Sequence, residues 1–453
     1  MAEKEHSVAA PAGPGREWNS RVWRLALPII LSNLSTPLLG AVDTAVMGHL
    51  PDAAYIGGVA IGSLIFSFLY WGFGFLRMGT TGFTAQAFGA GDMHELRATL
   101  ARPLLLAVGL GLMLIVLQWP IGLLAFHLVD ASQQVEVLAG DYYAIRIWSA
   151  PFALVNYTVL GWLLGTQRAK HALVLQITLN GINIVLDLWF VVALGWTIEG
   201  VALASLLAEI AAAAMGLGLC AVILHREGGR WSWARIVARE RMVALFRVNR
   251  DIFVRTLTLI FAFAYFTARS AEMGETRLAA NAILLQLQNF LSFGLDGFAH
   301  AAEILVGSAV GARSRDALRQ AVRTSTLWAL ALAAGVSLSL AIGGPLIVSW
   351  FTSLAEVRAA ALAYLPWMIA SPFASIWAFQ LDGIFIGATR TTAMRNAMLI
   401  SLAIYLLACR ALIPLLENHG LWLALMIFLA ARGVTLGWCY PALERAVASA
   451  KTY

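Results

Sequence analysis

Gln86 opens the stretch QAFGAGDMHELRATLAR, and Ser308 opens SAVGARSRDALRQAVRT. Gly89 matches Gly311 and Arg97 matches Arg319, each pair 222 residues apart. The same step relates GWLLGTQR from Gly161 to GIFIGATR from Gly383, so Gly161 pairs with Gly383 and Gly165 with Gly387. Two motifs about 70 residues apart that share one register mark a duplicated half. Each half carries six apolar stretches, an even number, so both halves enter a membrane in the same direction. Repeats of that kind are related by an axis along the membrane normal, and transporters bind substrate where such repeats meet.

The solvent is fixed by composition. Of 453 residues 60% are apolar and only 12% are charged, and the mean hydropathy is +0.77. Soluble domains carry about 25% charged residues. Apolar stretches long enough to cross a bilayer lie near 23–48, 56–78, 101–128, 141–165, 171–195, 198–224, 251–273, 279–308, 322–350, 360–387, 396–416 and 420–444. Their runs are continuous and do not alternate, which favours helices over a barrel. The expected fold is therefore an all-α integral membrane protein of twelve transmembrane helices, in two parallel six-helix lobes with a pseudo-twofold axis along the membrane normal.

Charge sets orientation. Of 31 basic residues, 23 fall on the tail, on alternate loops and at the C-terminus, including seven between Arg226 and Arg250. The opposite loops hold little beyond Arg277 and Arg358. This asymmetry places both termini in the cytoplasm and leaves no separate basic patch for nucleic acid. Residues 1–19 are expected to be a disordered cytoplasmic tail without a cleavable leader. Residues 20–224 are the expected N-terminal lobe, 225–250 a basic linker and 251–453 the C-terminal lobe. Trp231 and Trp233 fit either an interfacial amphipathic segment or a plain charged loop.

Most enzyme chemistry finds no foothold. The only lysines are Lys4, Lys170 and Lys451, none of them after a glycine-rich phosphate loop. The eight histidines show no paired metal spacing, and no G-x-S-x-G elbow occurs. Cys220, Cys409 and Cys439 lie inside spans and are expected to be packing residues. No enzyme activity, cofactor or metal is expected. What remains is transport driven by an ion gradient, which needs titratable groups at membrane depth.

Each intramembrane charge costs about 2.5–3.5 kcal/mol on insertion scales, so each is a functional candidate. Asp43 stands in LSNLSTPLLGAVDTAVMGHL, where Pro37 loosens the helix before it. Asn180, Asn183 and Asp187 recur at i, i+3 and i+7, a polar stripe on an apolar helix. Burial disfavours an ionised carboxylate, so acids in such places are suited to proton exchange. The repeat register puts Tyr265 at the place of Asp43 and Cys409 at that of Asp187, which confines the ion site to the first half. In the second half Asp296, His300 and Glu303 share one helical face, and Asp382 opens another motif. These four, with Trp162, Trp189 and Trp377 (Trp148 and Phe379 lie nearby), are candidates for holding flat organic cations.

The segments LGAVDTAVMGHL, LRMGTTGFTAQAFGAG, LNGINIVLD, LDGIFIGATRTTAMRN and NHGLWLAL together resemble the multidrug and toxic compound extrusion family, and within it the DNA-damage-inducible-F branch. The resemblance implies a V-shaped pair of lobes that exports small organic compounds by alternating access. It implies proton coupling at Asp43 and Asp187, with sodium as the alternative ion. Asn180, Asn183, Tyr142 and Ser205 are the implied polar partners, Tyr142 being placed less firmly because Tyr143 adjoins it. Pro28 or Pro37 is the implied hinge of the first helix. Sodium-coupled relatives use acids in the seventh and tenth helices; here Asp382 is kept and only Glu272 stands near the end of the seventh. A single-chain exporter of a bacterial inner membrane is expected. The rivals are a flippase for lipids or lipid-linked oligosaccharides, which would need several cavity arginines, and a membrane-embedded transferase, which would need an Asp-rich or His–Asp cluster. Asp43→Asn is expected to abolish drug resistance in a sensitive host while the protein still reaches the membrane, read as growth on drug beside a membrane immunoblot.

Overall fold

The computed structural model describes residues 15–47, 53–128 and 132–449. Its helices run in the order α1 (Gly15–Met47), α2 (Ala53–Gly72), α3 (Phe75–Gly89), α4 (Met93–Val116), α5 (Gln118–Leu128), α6 (Gln133–Arg146) and α7 (Ala150–Gly165). They continue as α8 (Ala169–Asp187), α9 (Ile198–Glu227), α10 (Trp233–Ile236), α11 (Arg239–Ala271), α12 (Glu275–Gly311), α13 (Arg315–Phe351), α14 (Ala355–Gly387) and α15 (Thr391–Ser449). Among the described residues ten helical segments are long and apolar enough to cross a membrane. The last of these is two helices meeting at Glu417, whose φ of 48° interrupts α15. With α1, a helix of 33 residues, the described residues supply twelve long helices, the number of spans expected.

The duplication is legible in helix boundaries. Helices begin at Ala53, Met93, Gln133 and Ala169, and again 222 residues later at Glu275, Arg315, Ala355 and Thr391. The quoted motifs are the turns that set these boundaries. Gly91 and Arg313 (φ 68° and 55°), and Gln167 and Thr389 (φ 60° and 53°), occupy the left-handed region. The next residue then donates its N–H five positions back: Asp92 to the Ala87 carbonyl at 3.2 Å, Ser314 to Ala309 at 3.0 Å, Arg168 to Leu163 and Arg390 to Phe385, both at 2.9 Å. The helices after the Gly91 and Arg313 turns are capped alike. Asp92 Oδ1 accepts the Glu95 N–H at 2.9 Å and Ser314 Oγ accepts that of Ala317 at 3.2 Å. Burial pushes the Asp92 carboxyl up, but the Glu95 N–H and the Arg235 guanidinium outweigh it and hold it below the usual range.

The repeated glycines are packing points. A Cβ on Gly161 would collide with the Arg77 carbonyl, and one on Gly165 would lie 2.6 Å from Thr84 Cβ. In the second half, Cβ atoms on Gly383 and Gly387 would collide with the Ala299 and Glu303 carbonyls. With little hydrophobic drive between helices in lipid, such close backbone approach supplies the dispersion energy of association.

The chain forms two compact units: the described residues of 31–88 and 92–246, and those of 1–30, 89–91 and 247–453. Their limits differ from the expected lobes. Residues 225–246 belong to the first unit because buried Arg97 and Arg102 bind them. Arg97 donates to the Leu224 carbonyl and to that of Gly228 at 2.9 Å. Arg102 reaches the Arg235 carbonyl at 2.7 Å and pairs with Glu95 at 2.7 Å. The expected linker thus holds the end of α9, to Glu227, the one-turn helix α10 and the first turns of α11 from Arg239. The start of α1 packs in the second unit, where Trp23 meets Phe298 edge-on at 5.3 Å and Asn19 accepts from Trp328 Nε1 at 3.0 Å. The helix begins at Gly15, inside the expected tail, because Trp18 is buried and Glu17 complements the first turn; residues 1–14 lie outside the described residues.

Gly161→Val and Gly383→Val are each expected to destabilise by about 1–3 kcal/mol through overpacking. Gly181→Ala, at a site with no atom within 4 Å, is expected to melt no lower than wild type in detergent thermal scans.

Candidate functional site

The 31–246 unit encloses a cavity of about 630 Å³ lined from α2, α6, α7, α8 and α9. Four of the implied polar partners, Asn180, Asn183, Tyr142 and Ser205, line it. Each is placed by its helix. Tyr142 packs on Gly62, a position with no room for a Cβ, and its hydroxyl lies 3.4 Å from Ser63 Oγ. Neighbouring Tyr143 instead donates to the Gln118 carbonyl at 2.8 Å, so Tyr142 is the cavity tyrosine.

The polar stripe of α8 is buried as its spacing predicts. Asn180 Nδ2 donates to Ser35 Oγ of α1 at 3.0 Å, and its Oδ1 accepts from Gln176 at 3.1 Å. One turn on, Asn183 satisfies both neighbours when its Nδ2 donates to Asp187 Oδ2 at 3.3 Å and its Oδ1 accepts from Ser205 N and Oγ at 3.2 Å. Asp187 is 0% exposed and sits behind this wall, not among the lining residues. Directly after it the helix loosens into a π turn, Leu188–Ala193, a deviation common at functional sites. The arrangement is a cavity, an Asn–Ser gate and a buried carboxylate in series.

The same cavity holds three residues the sequence did not single out, Arg146, Asn156 and Glu209. Asn156 Nδ2 donates to Glu209 Oε2 at 2.6 Å. The available signal was a lone acid in ASLLAEIAAAAMG and an arginine in DYYAIRIWSA. Pro28 is buried within an unbroken α1. The side chains of Pro37 and Asp43 lie outside the described residues.

The candidates of the 247–453 unit are occupied differently. Asp382 Oδ2 accepts from Arg255 and from Arg432 at 2.7 Å, all three side chains being buried. Asp296 acts on Arg432 electrostatically as a second counter-charge. His300 Nδ1 lies 2.8 Å from Glu303 Oε2, and both are buried. These acids are engaged with cations or a histidine of their own unit.

The tryptophans do not converge on the cavity. Trp162 is fully buried and donates to the Leu96 carbonyl at 3.0 Å, a packing role. Trp189 is 56% exposed and stacks on Phe190. Trp377, 47% exposed, lines a separate apolar groove of about 640 Å³ between α13, α14 and α15. Trp148 also points outward. Among the described residues no cluster of metal-binding side chains occurs.

Comparison with known proteins matches the MatE family model at residues 28–189 and 252–409, once in each half. The chain is 43% identical over 419 residues to DNA damage-inducible protein F of Escherichia coli (strain K12), covering 92% of this chain and 90% of that one. It is 24% identical over 455 residues to the probable multidrug resistance protein NorM of Geobacillus kaustophilus (strain HTA426), covering 97% and 98%. A crystal structure of MATE in the bent conformation superposes with a TM-score of 0.86 at 19% identity, covering 97% of this chain and all of that one, a likeness of fold.

Asp382→Asn is expected to take from two buried guanidinium groups the carboxylate they share and to cost about 3–5 kcal/mol, the range for breaking a buried ion pair from one side. Thermal unfolding of the purified variant checks this.

Proposed function

The chain belongs to the MatE family, and from that premise we propose that it is a proton-coupled exporter of small organic compounds. Family membership makes it a multi-pass membrane transporter, not an enzyme. The proposal concerns the ion, the site, a single-chain mode of action and an inner-membrane location with both termini in the cytoplasm.

One observation carries it: Asp187 is buried behind Asn183 and Ser205 at the wall of a cavity large enough for a drug-sized molecule. In this reading Asp187 carries the coupling proton, and the Asn183 amide is the neighbour that meets its carboxyl. When the acid is protonated it becomes a donor, and the Asn183 amide and the Ser205 hydroxyl can turn to accept. That change reaches the lining directly. Asn180 couples the same stripe to α1 at Ser35, two turns before Asp43. Alternating access then follows if the two protonation states favour different packings of α1, α8 and α9.

The C-terminal acids support the proton over sodium. Asp382, the position that the resemblance ties to sodium, already faces two guanidinium groups, which repel a further cation. The flippase reading gains nothing from Arg255 and Arg432, since Asp382 and Asp296 balance them.

In proteoliposomes, export is expected to collapse when the proton gradient is dissipated and to be indifferent to a sodium gradient. Asp187→Asn is expected to remove gradient-driven export by at least tenfold while drug still binds. Sodium-driven export, or full activity of this variant, would overturn the reading.

A further inference from the structure

The groove between α13, α14 and α15, about 640 Å³ in volume, takes no part in the coupling mechanism. Small residues open it. A Cβ on Gly433 would lie 2.7 Å from Trp377 Cβ, so α15 lies close on α14 there. One turn on, a Cβ on Gly437 would meet a single atom, Leu381 Cδ1 at 4.0 Å, so the space above it stays clear. Phe373 and Trp377 on one side and Val434 on the other are exposed along the groove. At span depth such a surface meets acyl chains.

The groove has a polar end. On α14 it runs from Phe373 to Ile384 and on α15 from Ala430 to Tyr440, roughly 15 Å of helix at about 1.5 Å per residue. That is about half of a hydrocarbon core of roughly 30 Å, the depth of one leaflet. Arg315 pairs with Glu444 at 2.9 Å, which brings the start of α13 beside the end of α15. Arg323 and Tyr440 stand at this end of the groove. Arg319 also pairs with Glu444, so that carboxylate is already shared by two guanidinium groups. Arg323, one turn deeper, is exposed and pairs with no acid among the described residues. Asp316 of α13 lies two turns nearer water, about 10 Å along the helix. The mouth therefore sets three arginines against one close acid. A guanidinium and a phenol at the head of an apolar slot one leaflet deep complement a phosphate that carries an acyl chain.

We propose that this groove binds one anionic phospholipid from the leaflet on the arginine-rich side of the membrane. Its phosphate rests against Arg323, with the Tyr440 hydroxyl as a second donor, and one acyl chain lies along Trp377 and Phe373 over Gly437. The lipid is a bound partner and not a cargo. The assignment requires only that the chain sits in a membrane, and it stands apart from the exporter reading.

The test is native mass spectrometry of the purified full-length chain in detergent, titrated with dioleoyl phosphatidylglycerol or dioleoyl phosphatidylcholine and read as occupancy by the first lipid. Wild type is expected to hold phosphatidylglycerol about fivefold more tightly or better, the worth of one arginine near a membrane surface. Arg323→Gln is expected to erase that preference and Arg323→Lys to keep most of it. Arg226→Gln, at an exposed arginine of the other unit, is expected to leave it whole. Gly437→Leu, whose Cβ has room, fills the slot and is expected to weaken both lipids alike. Equal affinities in wild type overturn the proposal. A preference that survives in Arg323→Gln, or that falls as far in Arg226→Gln, does the same, because the attraction then belongs to the whole basic surface. Unchanged lipid binding in Gly437→Leu places the lipid elsewhere and also overturns it.

Discussion

Asp187 is fully buried, and every other feature of the proposed cycle depends on how that carboxylate is kept. An isolated ionised acid at membrane depth is too costly to persist, so either it is solvated by protein dipoles or it takes up a proton. Asn183 meets it with an amide N–H and is itself held by Ser205. An arginine would lock it, as the Asp382 cluster shows in the other half. The two acids differ by their neighbours: an amide meets one, two guanidinium groups the other.

The halves share a frame and diverge inside it. Along the 222-residue register, Arg146 of the cavity corresponds to Met368, Asn183 to Tyr405, Asp187 to Cys409 and Glu209 to Ala431. Met368, Tyr405 and Cys409 belong to the buried core of the second unit, together with Phe266 and Trp422. Bulk and apolarity have filled the chamber that the first half keeps open. What polarity remains there is closed on itself. Asn281 donates to Ser270 at 2.6 Å and to Asn418 at 2.7 Å, and it accepts from Trp422 at 2.8 Å. Duplication supplied two scaffolds, and one of them became a packed body.

Features encoded by local periodicity were legible in the sequence. Span positions, the repeat and the Asn180–Asn183–Asp187 stripe follow from spacing along single helices. The glycines of GWLLGTQR and GIFIGATR announced a repeat, and their packing role emerged only with the carbonyls they meet. Contacts between helices were out of reach. Asn156 and Glu209 are 53 residues apart, and Arg255 and Asp382 are 127 apart. Composition counted tryptophans without directing them, so Trp189 and Trp162 turned out to face outward and into packing. The choice between Tyr142 and Tyr143 needed the 3.6-residue phase of α6, which two adjacent aromatics leave undefined.

The left-handed turns at Gly91, Arg313, Gln167 and Thr389 bear on where the molecule can flex. Each joins two helices through a closed ring of main-chain bonds, with no slack to absorb rotation. Helix pairs linked this way behave as stiff hairpins. Compliance is left to the irregular stretches inside helices, and the first unit owns two of them: the 3₁₀ step at Ile147–Ser149 and the π turn at Leu188–Ala193. In the second unit α14 runs unbroken across the register position of that 3₁₀ step. Both irregular stretches of the first unit directly follow residues of the site, Arg146 at the cavity wall and Asp187 behind it.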